Sequence, residues 1–166
     1  MDVNAVWLNF HDAVRYHYLD LHGRVGRAQF WYFVLAYIVF AILAGILQAV
    51  IPLPIGHIFG LLMILPSAGM GARRLQDTGR DGRLVWLFVI LDAATQIVGI
   101  ITALAFFAAG PLGLIFAPGL AVAGIAMLIV GIALIWFWVQ PGDRQDNAYG
   151  PPPPVFDPSQ RVSSPP

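Results

Sequence analysis

Two stretches of the chain are almost free of charge, and they leave few folds open. Ala28 to Ala72 is 45 residues without an Asp, Glu, Lys or Arg, and Leu84 to Gly142 is 59 residues with Asp92 alone. Seventeen of the eighteen charges therefore crowd into the other 62 residues. A soluble domain averages roughly 25% charged residues; here the figure is 11%, with 58% of residues hydrophobic. Runs of this length belong in lipid, where the backbone must satisfy its own hydrogen bonds as helices or a closed barrel. The runs lack the period-two alternation of a barrel strand. The expected fold class is thus all-α, a polytopic membrane protein. High hydrophobicity, zero net charge and zero cysteines exclude a disordered chain, a nucleic-acid-binding domain and a disulfide scaffold.

A hydrocarbon core about 30 Å thick takes roughly 20 helical residues, so the first run holds two crossings and a turn. The turn is Ile51-Pro52-Leu53-Pro54-Ile55-Gly56, where the prolines remove backbone donors and restrict the residues before them. Expected crossings are residues 28–50 and 55–72, then 84–109 and 119–140, with breaks at Gly110-Pro111 and Ala117-Pro118-Gly119. Residues 112–118 fit either a short turn or an extra helical turn. The result is four transmembrane helices in two hairpins.

All nine basic residues are arginine. Arg15, Arg24 and Arg27 precede the first crossing, Arg73, Arg74, Arg80 and Arg83 lie between the second and third, and Arg144 and Arg161 follow the fourth. By the positive-inside rule these segments are cytoplasmic, which predicts an N-in/C-in topology, and the five tryptophans lie at helix ends on that same side. Only two short uncharged turns are then expected outside. The first 27 residues carry six charges and no hydrophobic core segment, so no cleavable signal peptide is expected there.

Residues 1–27 place Trp7, Phe10, Val14, Tyr18 and Leu21 three or four apart, which predicts an amphipathic helix lying in the interface as an anchor or a partner-binding surface. His11, His17 and His22 do not share a helical face, and with no Cys or Glu in the chain no metal site is expected. The loop 73–83 packs six charges into eleven residues with a net +2. Arg73 and Asp77, four apart, are expected to pair if the second helix runs on, with Arg74 facing elsewhere. A basic loop at headgroup level serves topology, and it suits the phosphates of anionic lipids. Asp77 and Asp81 lack the second acidic pair that a two-metal phosphotransferase needs. Residues 143–166 are polar and proline-rich, with four prolines at 151–154, and are expected to form an extended, disordered cytoplasmic tail. Within them Asn147-Ala148-Tyr149-Gly150 reads as a turn able to fold back under the arginine loop.

Three motifs carry a family resemblance: Gly23-Arg24-Val25-Gly26-Arg27-Ala28-Gln29-Phe30-Trp31, then Arg73-Arg74-Leu75-Gln76-Asp77-Thr78-Gly79-Arg80-Asp81-Gly82, then Asn147-Ala148-Tyr149-Gly150-Pro151. In order and position they resemble the bacterial inner-membrane family called domain of unknown function 805, over about Trp7 to Pro152. The resemblance implies a small multi-pass protein of the bacterial cytoplasmic membrane with no established activity. The chain departs from the family pattern at Gln76, where members often have His, at Arg83, where Trp is common, and at Gln145, where Gly is usual. The Gln76 departure weakens any acid-base role for that position.

Inside the membrane, Asp92 stands about 12 Å into the third crossing by helical rise, a depth at which an ionisable group is a functional candidate. Gln96 is one turn on, on the same face; Gln48 and His57 lie near outer helix ends, beyond direct reach of Asp92. Asp92 is either an interhelical hydrogen-bonded contact or a solute or proton site. The leading expectation is a non-enzymatic membrane component, without cofactor, whose Arg24, Arg27, Arg73, Arg74, Asp77, Gly79, Arg80, Asn147 and Gly150 contact lipid headgroups or a membrane partner. Its partner classes are the bilayer itself, a second membrane protein or a homo-oligomer, and not nucleic acid. The alternative is a small transporter or transport accessory that uses Asp92 and Gln96. No nucleophile with its base, phosphate-binding glycine loop or metal set is present to define an enzyme.

Overall fold

The computed structural model describes residues 3–155, and within them all regular structure is helical, with no strand. The order is α1 (Val3–Arg15), α2 (Arg27–Val50), α3 (Ile55–Asp77), a 3-10 turn at Gly82–Leu84, α4 (Val85–Ala109), a 3-10 stretch at Gly110–Phe116, and α5 (Ala117–Val139). Three stretches are long and apolar enough to cross a membrane: Arg27–Val50, Ile55–Asp77, and Gly82–Val139, whose 58 residues hold both α4 and α5. Half of the most apolar window in Ile55–Asp77 is buried, against 17% for Arg27–Val50 and 6% for Gly82–Val139. On α5, Ile125, Leu128, Ile129 and Ile132 are all exposed. In water such a surface would be an aggregation liability; in lipid it is the expected one.

The described residues group into two compact units, each built from parts of several helices. The first comprises residues up to Ile38, then Leu65–Val85 and the chain from Leu134 onward. Its core includes Phe10, Phe30, Phe33, Met70 and Leu75, all buried. Here α1 departs from expectation. It ends at Arg15, so Tyr18 and Leu21 lie beyond the helix. Its buried residues are Ala5, Asn9, Phe10 and Ala13, while Trp7 is exposed. Two alanines let the backbone come close, the Asn9 amide donates to the Gln29 carbonyl at 2.9 Å, and the Phe10 ring packs 5.7 Å from that of Phe33. Satisfying the polar Asn9 in the packed face outweighs the aromatic stripe.

In the same unit α3 runs five residues past the expected end at Ala72, to Asp77, and it holds Pro66 in its interior. It stops in a Schellman motif: Arg80 N–H bonds the Leu75 carbonyl at 3.0 Å and Gly79 N–H the Gln76 carbonyl at 3.1 Å, with Gly79 at φ +71°. Only a residue without Cβ takes that left-handed conformation at no steric cost. The Asp81 carboxylate then accepts the Arg83 backbone N–H at 2.8 Å and starts the 3-10 turn into α4.

The second unit comprises Val39–Ile64 and Trp86–Ala133. The turn between α2 and α3 is where the prolines predict it. Gln48 Oε1 accepts the Gly56 N–H at 2.8 Å, which satisfies one of the orphan donors at the start of α3. Residues 110–116 form a 3-10 stretch with Gly110 at φ +59° and Pro111 in its first turn, so of the two alternatives for 112–118 the helical one holds, 3-10 up to Phe116 and α from Ala117.

Candidate functional site: a buried arginine lock

In the first unit, Asp77 at the end of α3 stands between two arginines. Its Oδ1 accepts from Arg24 Nε at 3.1 Å and lies 3.0 Å from Arg24 Nη2, while its Oδ2 accepts from Arg74 Nη1. The three side chains are 4%, 1% and 0% exposed for Asp77, Arg24 and Arg74. One carboxylate cannot neutralise two guanidinium groups, and an uncompensated buried charge is costly. The remaining donors end on backbone carbonyls. Arg24 donates to Gln145 and Gly150 at 2.9 and 3.1 Å and also to Asp143. Arg74 donates to Trp138 at 3.0 Å and also to Gln140. Trp138 stands in the last turn of α5 and Gln140 directly follows it, where the last carbonyls of a helix have no intrahelical partner and carry the negative pole of its dipole. Arg74 therefore caps α5 and Arg24 pins the chain after it.

The segment after α5 is held by further bonds. Asp143 N–H donates to the Asp77 carbonyl at 2.8 Å, and the Asn147 amide donates to the Gln76 carbonyl at 3.0 Å and to Asp143 Oδ2 at 2.9 Å. Asn147 and Gly150 exchange two backbone hydrogen bonds of 3.2 and 3.1 Å, with Gly150 at φ +113°. Residues 143–150 are thus fastened under α3: the turn expected at residues 147–150 forms there, and the disorder expected from Asp143 onward does not begin before it. Residues 152–155 have no regular secondary structure, and residues 156–166 of the expected tail lie outside the described residues. Close approach also governs Gly142, where an added Cβ would stand 2.6 Å from Asp77 Cγ.

Other motif residues fall into different settings. Arg73 does not pair with Asp77. It turns to Asp20 Oδ2 at 3.5 Å and to the Gly69 carbonyl at 3.3 Å, and Arg74, three residues before Asp77, takes the carboxylate. Both spacings put side chains on neighbouring faces; the choice falls to Arg74 because Asp77 points toward the end of α5, where further acceptors await. Arg80 lies 4.6 Å from the Phe137 ring centroid and donates to Gln140 Oε1 at 2.8 Å. Arg27 is exposed and has no ion pair among the described residues. Trp138, read from sequence as an interfacial anchor, donates its indole N–H to the Gly71 carbonyl at 3.1 Å and packs 5.0 Å from Phe30. Gln76 Nε2 donates to the Leu21 carbonyl at 2.9 Å.

Asp92 and Gln96 come together in the second unit. Gln96 Nε2 donates to Asp92 Oδ1 at 2.9 Å, and Gln96 Oε1 meets His57 Nδ1 at 3.0 Å. Asp92 is 6% exposed. His57 does not touch Asp92 directly, as its position predicts, but it is the third member of the chain. The sequence signal for it was a lone polar side chain in the first turn of a long apolar helix. No three His, Cys, Asp or Glu side chains among the described residues group in a way that could hold a metal.

Long apolar helices with outward-facing aliphatic side chains, joined to a compact polar cluster of arginines, define a helical membrane protein. The chain belongs to the family described as Protein of unknown function (DUF805), whose model matches residues 18–151. That range takes in all three segments of the lock. Among curated proteins it is similar to the Inner membrane protein YhaH of Escherichia coli strain K12, 31% identical over 80 residues, which are 44% of this chain and 66% of the relative. It is also similar to the Inner membrane protein YhaI of the same strain, 26% identical over 98 residues, 57% of this chain and 79% of the relative. The chain thus covers just under two thirds of the length of YhaH. No solved structure matches it.

Proposed function

We propose that the chain is a four-crossing component of the bacterial inner membrane with both termini in the cytoplasm, and that it acts without catalysis by presenting a rigid cytoplasmic face to anionic lipid headgroups. The observation that carries this is the division of labour among the arginines. Arg24, Arg73 and Arg74 spend their donors on Asp77, Asp20 and backbone carbonyls. Arg27, Arg83 and Arg144 are exposed and have no ion pair among the described residues. The first set builds the face, and the second is left to meet phosphates. Each basic side chain at an anionic surface contributes about 1 kcal/mol, so three together give useful retention of lipid. A membrane partner or a second copy of the chain would meet the same face.

The test is extraction in native lipid followed by mass spectrometry. The parent is expected to retain phosphatidylglycerol or cardiolipin, and replacing Arg27 and Arg83 with Ala together should lower that retention several-fold without changing thermal stability. Equal retention in the double variant would remove the headgroup reading, and a protein partner lost in its place would move the site from lipid to protein. Topology has its own measurement. Reporters fused after Leu53, Gly82, Gly110 and Gly150 are expected to read outside, inside, outside, inside; any other order overturns the four-crossing arrangement.

A further inference from the structure

Among residues 39–64 and 86–133, which make up the second unit, the titratable side chains are Asp92 and His57 and no others. Those two are the ends of one hydrogen-bonded chain, joined through the amide of Gln96. The unit's remaining polar side chains with recorded bonds serve the backbone: the Thr95 and Thr102 hydroxyls donate to the Leu91 and Val98 carbonyls at 2.8 Å, and Gln48 caps α3. Gln96 alone spends both ends of its amide on titratable groups.

The packing is shaped around this chain. A Cβ at Gly60 of α3 would stand 2.5 Å from the Gln96 amide of α4, and a Cβ at Gly99 of α4 would stand 2.5 Å from Nδ1 of the His57 ring of α3. Each helix thus places a glycine opposite the other's polar side chain. A glycine inside a helix costs about 1 kcal/mol relative to alanine, and a carboxyl and an imidazole in a lipid-embedded segment cost more. An apolar pair of helices would need neither.

We propose that His57, Gln96 and Asp92 form one proton-binding site within the bilayer, whose proton rests on Asp92 and exchanges with the compartment on the His57 side. This rests on the four-crossing arrangement, in which His57, the third residue of α3, lies next to the turn between α2 and α3. Gln96 donates to Asp92 and accepts at Oε1, so His57 Nδ1 must carry a hydrogen and its Nε2 is left to take another. A proton taken up at His57 Nε2 lets the Nδ1 hydrogen pass to Gln96 Oε1 and one Gln96 Nε2 hydrogen pass to the Asp92 carboxylate, so that two N–H bonds break, one N–H and two O–H bonds form, and Gln96 is left as its imidic-acid tautomer; release runs the same steps in reverse. The loaded chain is neutral, the form in which a carboxyl is held most cheaply away from water, and the empty one carries the Asp92 charge.

The experiment uses the full chain in vesicles of phosphatidylethanolamine and phosphatidylglycerol, with the pH of the two sides set independently. Dicyclohexylcarbodiimide, a membrane-permeant reagent for protonated carboxyl groups in apolar surroundings, is added and the Asp92 peptide quantified by mass spectrometry. Labelling is expected to fall several-fold as the pH is raised on the side that carries Leu53, and to hold when it is raised on the other. Gln96→Leu and, independently, His57→Phe should each remove that dependence in protein that still elutes as the parent does. Labelling that ignores the Leu53 side, or a dependence unchanged in both variants, overturns the site. Reporter fusions fix separately which compartment holds Leu53. If they place it in the cytoplasm while labelling still follows its side, the topology fails and the proton site stands.

Discussion

Replacing Asp77 with Ala is expected to destabilise the protein by about 3–5 kcal/mol, the cost of leaving a buried partner charge uncompensated. The value belongs at the upper end because two guanidinium groups, Arg24 and Arg74, lose the one carboxylate they share, and both are almost fully buried. Their carbonyl acceptors remain, but a carbonyl carries no full charge to set against a cation. Chemical unfolding in detergent, followed by helical circular dichroism, gives the number. Asp77→Asn should fall between the parent and the Ala variant, since it keeps one acceptor and loses the charge. A double-mutant cycle of Arg24→Gln with Asp77→Asn should return a coupling on the order of 1–3 kcal/mol. An Asp77→Ala protein within about 1 kcal/mol of the parent, the range of an exposed surface pair, would mean that the lock is a surface contact and not a buried one.

Gly142→Ala attacks the same lock from the other side. The new methyl group would stand 2.6 Å from Asp77 Cγ and 2.9 Å from its Oδ1. Room can come from a swing of the carboxylate, which breaks its arginine contacts, or from a shift of residues 142–143, which breaks the bond from Asp143 N–H to the Asp77 carbonyl. The expected loss is about 1–3 kcal/mol, as for other overpacked sites. Gly119→Ala is the control, because nothing lies within 4 Å of its added Cβ, and there helix propensity favours alanine by up to about 1 kcal/mol. In an Asp77→Ala background the Gly142→Ala penalty should largely vanish, since the atoms it collides with are gone. Additive losses in the double variant would show that Gly142 is needed for some reason other than the carboxylate.

The helix ends near Val50, Ile55 and Ala109 were legible because prolines and glycines act locally, on the residue that carries them or the one before. The end of α3 was less so: charge marks where lipid is expected to stop, and the helix continues through Arg73, Arg74 and Asp77 until a glycine lets it turn. The motif residues were also legible as a set. Their partners were not. Helical spacing allows Asp77 to meet either Arg73 or Arg74, and the acceptors that decide it, at Trp138 and Gln140, lie more than sixty residues away. Nor can a sequence pattern show that Gly60 and Gly99 clear space for Gln96 and His57, since in a chain with 17 glycines small-residue spacings recur by composition alone.

The sequence by itself determined that this chain is a helical membrane protein, because charge-free runs of this length have no other stable environment and lipid permits the backbone little choice. It also marked the polar residues that needed an explanation. The tertiary structure decided what those residues do. Arg24, Arg74 and Asp77 satisfy one another and the end of α5, and Asp92 is joined to His57 through Gln96. The physical reason is that burial, counter-charge and hydrogen-bond acceptors are properties of neighbours in space, and for these side chains the neighbours that complete each cluster, Arg24 and the chain after α5 in one and His57 in the other, lie far away along the sequence.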